Sequence, residues 1–111
     1  MRMPYGVVMP THIVTVFRSR LKPGVDADYA VVARRMNELA TQMPGYVDHK
    51  SFRADDGERV TIVTFADRAS HDAWRTHPEH LAAQLEGRER FYSDYSLQVA
   101  EVRHGSRFPD A

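Results

Sequence analysis

The stretch Pro44-Gly45-Tyr46-Val47-Asp48-His49-Lys50-Ser51-Phe52-Arg53-Ala54-Asp55-Asp56-Gly57-Glu58-Arg59-Val60-Thr61-Ile62-Val63-Thr64-Phe65 sets the plan of the chain. Pro44-Gly45 stops whatever helix precedes it. Tyr46–Arg53 reads as a strand, and Val60–Phe65, rich in β-branched residues, as another. Between them Asp55-Asp56-Gly57 is a hairpin turn, because glycine takes positive φ at no steric cost.

The pattern extends outward on both sides. Residues 11–21 read as a strand that ends at Lys22-Pro23-Gly24. Asp26 is then placed to cap a helix running to about Met43, in which Tyr29, Val32, Met36, Leu39 and Met43 recur at helical spacing. After the hairpin, Asp67 caps a short helix through Trp74. Thr76 and Pro78 restart it, since proline suits a first turn and not an interior. The restarted helix is expected to bury Leu81, Ala82 and Leu85 and to reach about Arg90, with Tyr95–Arg103 as the last strand. The order βαββαβ predicts an α+β, ferredoxin-like domain over 11–103: a four-stranded antiparallel sheet with two helices on one face. Residues 1–10 and 104–111 are expected to be tails.

Strands Ile13–Phe17 and Val60–Phe65 are apolar at both parities, as strands covered on both faces are. Two helices cover one face only. A second copy is the economical cover for the other, so the pattern predicts a homodimer.

Composition narrows the function. The 111 residues hold fifteen basic and fifteen acidic side chains, a formal net charge of zero, which disfavours nucleic acid as a partner. The absence of cysteine removes disulfides, thiolate nucleophiles and sulfur-ligated zinc, and suits a cytoplasmic protein. No apolar run approaches a membrane span, and the start of the chain is too interrupted by Pro4 and Pro10 for a signal peptide.

The candidate chemistry lies in Trp74-Arg-Thr-His77-Pro-Glu-His80-Leu-Ala-Ala-Gln84. Trp74 is either a core residue or a pocket wall that stacks on a planar ligand. His77 and His80, three apart on a helix, have three readings. They are a metal pair lacking a third ligand, surface or capping residues beside Pro78, or a general base near neutral pKa. The base reading is carried by His80, in register with Trp74 and Gln84, and the capping reading by His77. By strand parity Thr15, Phe17, Ile62 and Thr64 are expected on one sheet face under the helices, lining an apolar cavity with a few hydroxyls. His12 and His49 are read as structural or interface residues, and Arg18, Arg34 and Arg35 as solvated or at a dimer rim.

From Thr11 to Arg103 the chain resembles the antibiotic biosynthesis monooxygenase family of dimeric α/β barrels. The resemblance rests on Lys22-Pro-Gly, Met43-Pro-Gly-Tyr, Phe65-Ala-Asp, Ala73-Trp-Arg-Thr-His-Pro-Glu-His, Gly87-Arg, and Tyr95-Ser-Leu-Gln-Val-Ala-Glu-Val-Arg. It implies a dimer with a pocket between sheet and helices in each protomer. Some members oxidise anthrones or quinols with dioxygen and without metal or prosthetic group. Anthrone-oxidising members carry an asparagine and a tryptophan near the end of the third strand, where this chain has Thr64 and Arg68, and a tyrosine where it has Trp74. Haem-degrading members carry an asparagine, a tryptophan and a histidine, of which only Trp74 is matched; Phe17 and Gln84 fill the other positions, so haem loses its expected axial ligand.

The first expectation is therefore a cofactor-independent monooxygenase for a small phenolic, quinol or polyketide-like aromatic. His80 would be its base, Trp74 a stacking wall, Thr64 and Gln84 donors, and Thr15, Phe17, Ile62 and His77 further pocket residues. The second is a non-catalytic protein that binds an aromatic ligand in the same fold. Haem binding through His80 or His77 is the third.

Overall fold

The structure, a computed structural model, describes residues 11–109; the expected tail at 1–10 and the last two residues lie outside them. The hairpin forms where the sequence places it. Strands β2 (Tyr46–Arg53) and β3 (Arg59–Phe65) are antiparallel neighbours. At the turn between them Gly57 has φ +90°, a conformation that costs a side-chain-bearing residue and not glycine.

Strand β1 (Ile13–Leu21) lies between β3 and the last strand, β4 (Tyr92–Glu101), both antiparallel to it, giving the order β2-β3-β1-β4. Helix α1 (Asp26–Gln42) joins β1 to β2. The second helical segment is broken in two, α2 (Arg68–Arg75) and α3 (Pro78–Glu86), and ends in a π-helical turn, Gly87–Phe91. This is the expected βαββαβ ferredoxin-like fold. Beyond β4 no regular element forms through residue 109.

Several boundaries and faces differ from expectation. Asp26 does not cap α1. Val25 occupies that position with no side-chain bond, and Asp26 and Asp28 sit in the first turn, where their charge favours the helix dipole. Asp67 does cap α2, its carboxylate accepting from the Ser70 N–H at 2.8 Å. The α3 helix stops at Glu86 rather than Arg90, and β4 starts at Tyr92 rather than Tyr95. The π turn buries Phe91 and delivers Tyr92 straight into the sheet.

The expected buried face of α3 is reversed. Leu81 and Leu85 are 48% and 50% exposed, and Ala82 is exposed as well. His80, Ala83, Gln84 and Gly87 face inward, at the i, i+3, i+4, i+7 spacing of one helix stripe. The break at Thr76-His77 resets the helical phase, so apolar spacing carried over from α2 points the wrong way.

The core under the helices is built on Phe65, Trp74 and Ala40, against which Met36, Leu39, Met43, Tyr46 and Val63 pack. Two ion pairs fasten the helical layer from outside. Arg35 on α1 makes a two-pronged contact with Glu79 on α3 at 3.0 and 3.1 Å, and Arg90 reaches Asp28 of α1 at 3.1 Å. Both are exposed and screened by solvent, so they orient more than they stabilise.

Candidate functional site

Strand register decides which side chains meet the helices. Thr15 pairs with Val63 and Val99, and Phe17 with Thr61 and Leu97, so these residues share one sheet face. Val14 pairs with Thr64 and Val16 with Ile62, on the opposite face. The expected grouping of Thr15 and Phe17 with Ile62 and Thr64 is thus wrong by one residue on β3, and a one-residue slip turns every side chain over. Thr64 is buried (4% exposed) and Ile62 is 36% exposed, both away from the helices.

On the helix side lies a cavity of about 420 Å³. That is within the range of about 300–1,000 Å³ for small-molecule sites. Of the expected residues it is lined by Thr15, Phe17, Trp74, His80 and Gln84. Tyr95, Leu97 and Val99 of β4 complete one wall and stay partly exposed, so the cavity opens along that strand.

The imidazole end of the cavity is assembled by the break at Pro78. Trp74, buried at 7% exposure, lies in the last turn of α2, and His80 in the first turn of α3. Their rings stack with centroids 4.1 Å apart and planes 14° from parallel. The His80 Nδ1–H donates to the Trp74 carbonyl oxygen at 3.1 Å. A carbonyl can only accept, so this bond fixes the proton on Nδ1 and leaves Nε2 with the free lone pair. Gln84 touches the same ring edge more loosely, at 3.5 Å. Burial, reinforced by nearby His77, holds the His80 pKa below its ordinary 6.5 although the carbonyl bond opposes the shift. His80 is accordingly a neutral imidazole at pH 7, with one nitrogen able to take a proton.

His77 does not line this cavity. Its Nδ1 accepts from the Glu79 N–H at 3.1 Å and caps α3. The expected alternative for His77, a cap beside Pro78, describes its place; the pocket assignment does not. Glu79 is taken up by Arg35. Among the described residues no group of three or more histidine or carboxylate side chains converges as a metal site.

Several lining residues escaped the sequence reading. His49 lines the cavity from β2 and shares a 2.7 Å hydrogen bond with the Tyr46 hydroxyl. His71 lines it from α2, buried, with its Nδ1 3.1 Å from the Asp72 carboxylate. Asn37, Arg75 and Arg88 add polar groups. At the other end Phe17, Tyr29, Tyr92 and Tyr95 meet ring to ring with centroids 5.4–5.8 Å apart. Burial, and then the hydrogen bond that the Tyr92 hydroxyl donates to the Tyr29 oxygen, push the Tyr92 pKa far above that of a free phenol, so it stays protonated.

Comparison with known proteins fits this geometry. Residues 12–85 match the family described as antibiotic biosynthesis monooxygenase, and the chain belongs to it. It is similar to YqjZ of Bacillus subtilis, an uncharacterized protein, at 34% identity over 84% of this chain and 81% of that one. It is also similar to a jasmonate monooxygenase of Pyricularia oryzae, at 25% identity over 78% of this chain, which spans only 41% of that protein. Among solved structures, SnoaB, a cofactor-independent oxygenase from Streptomyces nogalater, superimposes with a TM-score of 0.74 at 20% identity. The match covers 89% of this chain and 98% of that one and shows the shared fold.

Proposed function

We propose that this protein is a cofactor-independent monooxygenase that oxidises a small phenolic, quinol or polyketide-like aromatic with dioxygen. The observation that carries the reading is the His80–Trp74 pair. It combines an imidazole held neutral by burial, with its proton fixed on Nδ1, and a buried indole that stacks on that imidazole and holds it at the cavity wall. A base whose pKa lies near or somewhat below working pH is unprotonated and ready to accept.

His80 Nε2 removes a proton from the bound phenol or from the acidic C–H of its keto form. The resulting anion is electron-rich enough to give one electron to dioxygen, and the substrate radical and superoxide then join as a peroxide. Loss of water from that peroxide leaves a new carbonyl, so a CH₂ and O₂ become C=O and H₂O. The protein supplies a base, donors for the developing oxyanion, and an apolar cavity that holds both reactants. Thr64, on the far sheet face, is not placed to donate to a ligand in this cavity, and the role falls to residues that line it. The sheet face bearing Val14, Val16, Val60 and Ile62 fits the homodimer read from the strand pattern.

Replacing His80 with alanine is expected to lower turnover at neutral pH by about 10²–10⁴-fold, the usual worth of a positioned base. Unchanged turnover in a folded variant would remove His80 from the mechanism.

A further inference from the structure

The second cavity histidine, His49, is held in the opposite way to His80. Tyr46 and His49 are three residues apart and would face opposite sides of a regular strand. A β-bulge between Tyr46 and Asp48 turns both to the helix face, opposite Phe65 and Val63. There the Tyr46 hydroxyl lies 2.7 Å from His49 Nδ1.

A hydroxyl both donates and accepts, so its direction needs an argument. A phenol is a better donor than acceptor, and an imidazole lone pair accepts more strongly than a phenol oxygen, so at 2.7 Å the favoured arrangement is O–H to Nδ1. Burial, with Asp48 nearby, raises the Tyr46 pKa and keeps the phenol proton in place. That proton needs an acceptor, and the Nδ1 lone pair is the one within reach. Tyr46 therefore donates, His49 Nδ1 accepts, and the ring proton of neutral His49 sits on Nε2.

We infer that the cavity holds a complementary imidazole pair, with His80 offering an acceptor nitrogen and His49, fixed by Tyr46, offering an Nε2–H donor to the oxygen of a bound aromatic. Its catalytic consequence rests on the oxygenase reading above. When His80 takes the proton, negative charge grows on the substrate oxygen, and a fixed donor there stabilises it without reorganising. Tyr46 is the positioning residue: it touches no ligand but decides which nitrogen of His49 carries the proton. Trp74 joins the two halves, since it stacks on His80 and shares a packed cluster with Tyr46.

The tautomers can be read directly by ¹⁵N NMR of histidine-labelled protein at pH 7.5, with signals assigned by their loss in H49Q and H80Q. The expected spectrum shows His49 protonated on Nε2 and His80 on Nδ1. Tyr46→Phe should turn the His49 signals into a tautomer mixture while those of His80 stay put, which also reports that the fold is intact. A wild-type His49 carrying its proton on Nδ1 would overturn the inference, as would a Tyr46→Phe spectrum unchanged at His49. Binding of 1,8-dihydroxyanthraquinone, followed by its visible absorbance, tests the donor. His49→Leu is expected to weaken binding at least about tenfold. His49→Gln, whose amide N–H reaches a similar distance, should restore most of it. Equal affinity of the Gln and Leu variants would overturn the donor role. Failure of dioxygen uptake would sink the oxygenase reading and leave both of these readouts standing.

Discussion

The two ends of the cavity are built from the same kind of material, rings on strands and helices, yet they differ in how their polar atoms are fixed. At the imidazole end each ring nitrogen with a partner is tied to a neighbour of defined role: His80 to the Trp74 carbonyl, His49 to the Tyr46 hydroxyl. At the other end Phe17, Tyr29, Tyr92 and Tyr95 meet edge to face or tilted, and burial holds the proton on the Tyr92 phenol. The first end presents a neutral imidazole with a free lone pair, and the second presents ring edges. The lesson is a division of labour: chemistry where burial and a carbonyl tune an imidazole, shape where aromatic edges define a wall.

The largest structural effect is expected at the imidazole end. Trp74→Ala removes a buried indole from the core cluster and the surface on which His80 stacks, and should cost about 3–5 kcal/mol in urea unfolding. A loss near 1 kcal/mol would mean that the ring is held less tightly than its burial implies. Gly87→Ala strikes the other end. The added Cβ would lie 2.4 Å from the Tyr92 ring, which packs edge to face on Phe17 and Tyr29, so a loss of about 1–3 kcal/mol is expected. Dioxygen chemistry should survive it better than it survives loss of His80. If Gly87→Ala instead abolished turnover while leaving stability intact, the division between the ends would be broken.

The pH dependence of stability separates the ends more finely. Buried His80 resists the proton that the unfolded chain accepts below its ordinary value of 6.5. Where the unfolded state binds more protons, stability rises with pH. The His80 contribution is therefore complete above pH 6.5, falls as pH drops below it, and levels off once pH passes the lowered folded value. His80→Gln should flatten this slope in a series of thermal melts, and Tyr92→Phe, which removes a phenol that stays protonated throughout, should not. The smallest effect is expected outside both ends. Leu81→Ser, on the exposed face of α3, should stay within about 0.5 kcal/mol of the parent.

That last substitution marks where sequence reasoning ran out. Local signals placed the elements well. Pro44-Gly45, Asp55-Asp56-Gly57, the Asp67 cap and Pro78 each act through the backbone of a few neighbouring residues, and each lies where the structure needs it. Which way side chains point depends on non-local facts. The β1–β3 register is set across a whole helix and hairpin, with no turn to pin it, and that is why Ile62 and Thr64 were assigned to the helix face. The phase of α3 depends on dihedrals at Thr76 and His77, so residue spacing alone puts Leu81 and Leu85 inside and does not orient His80. His49 was missed because the bulge after Tyr46 has no signature in the residues themselves. Tyr92 was missed because a π turn, rather than one more turn of α-helix, ends the segment.

The central claim is that this cavity oxidises an aromatic with dioxygen unaided. Its most direct test is dioxygen uptake by the purified, chelator-treated protein on a panel of anthrones, naphthoquinols and catechols, set against the spontaneous rate. The account predicts saturable uptake above that rate, with one dioxygen consumed per substrate. Uptake no faster than the spontaneous reaction across the panel would contradict it.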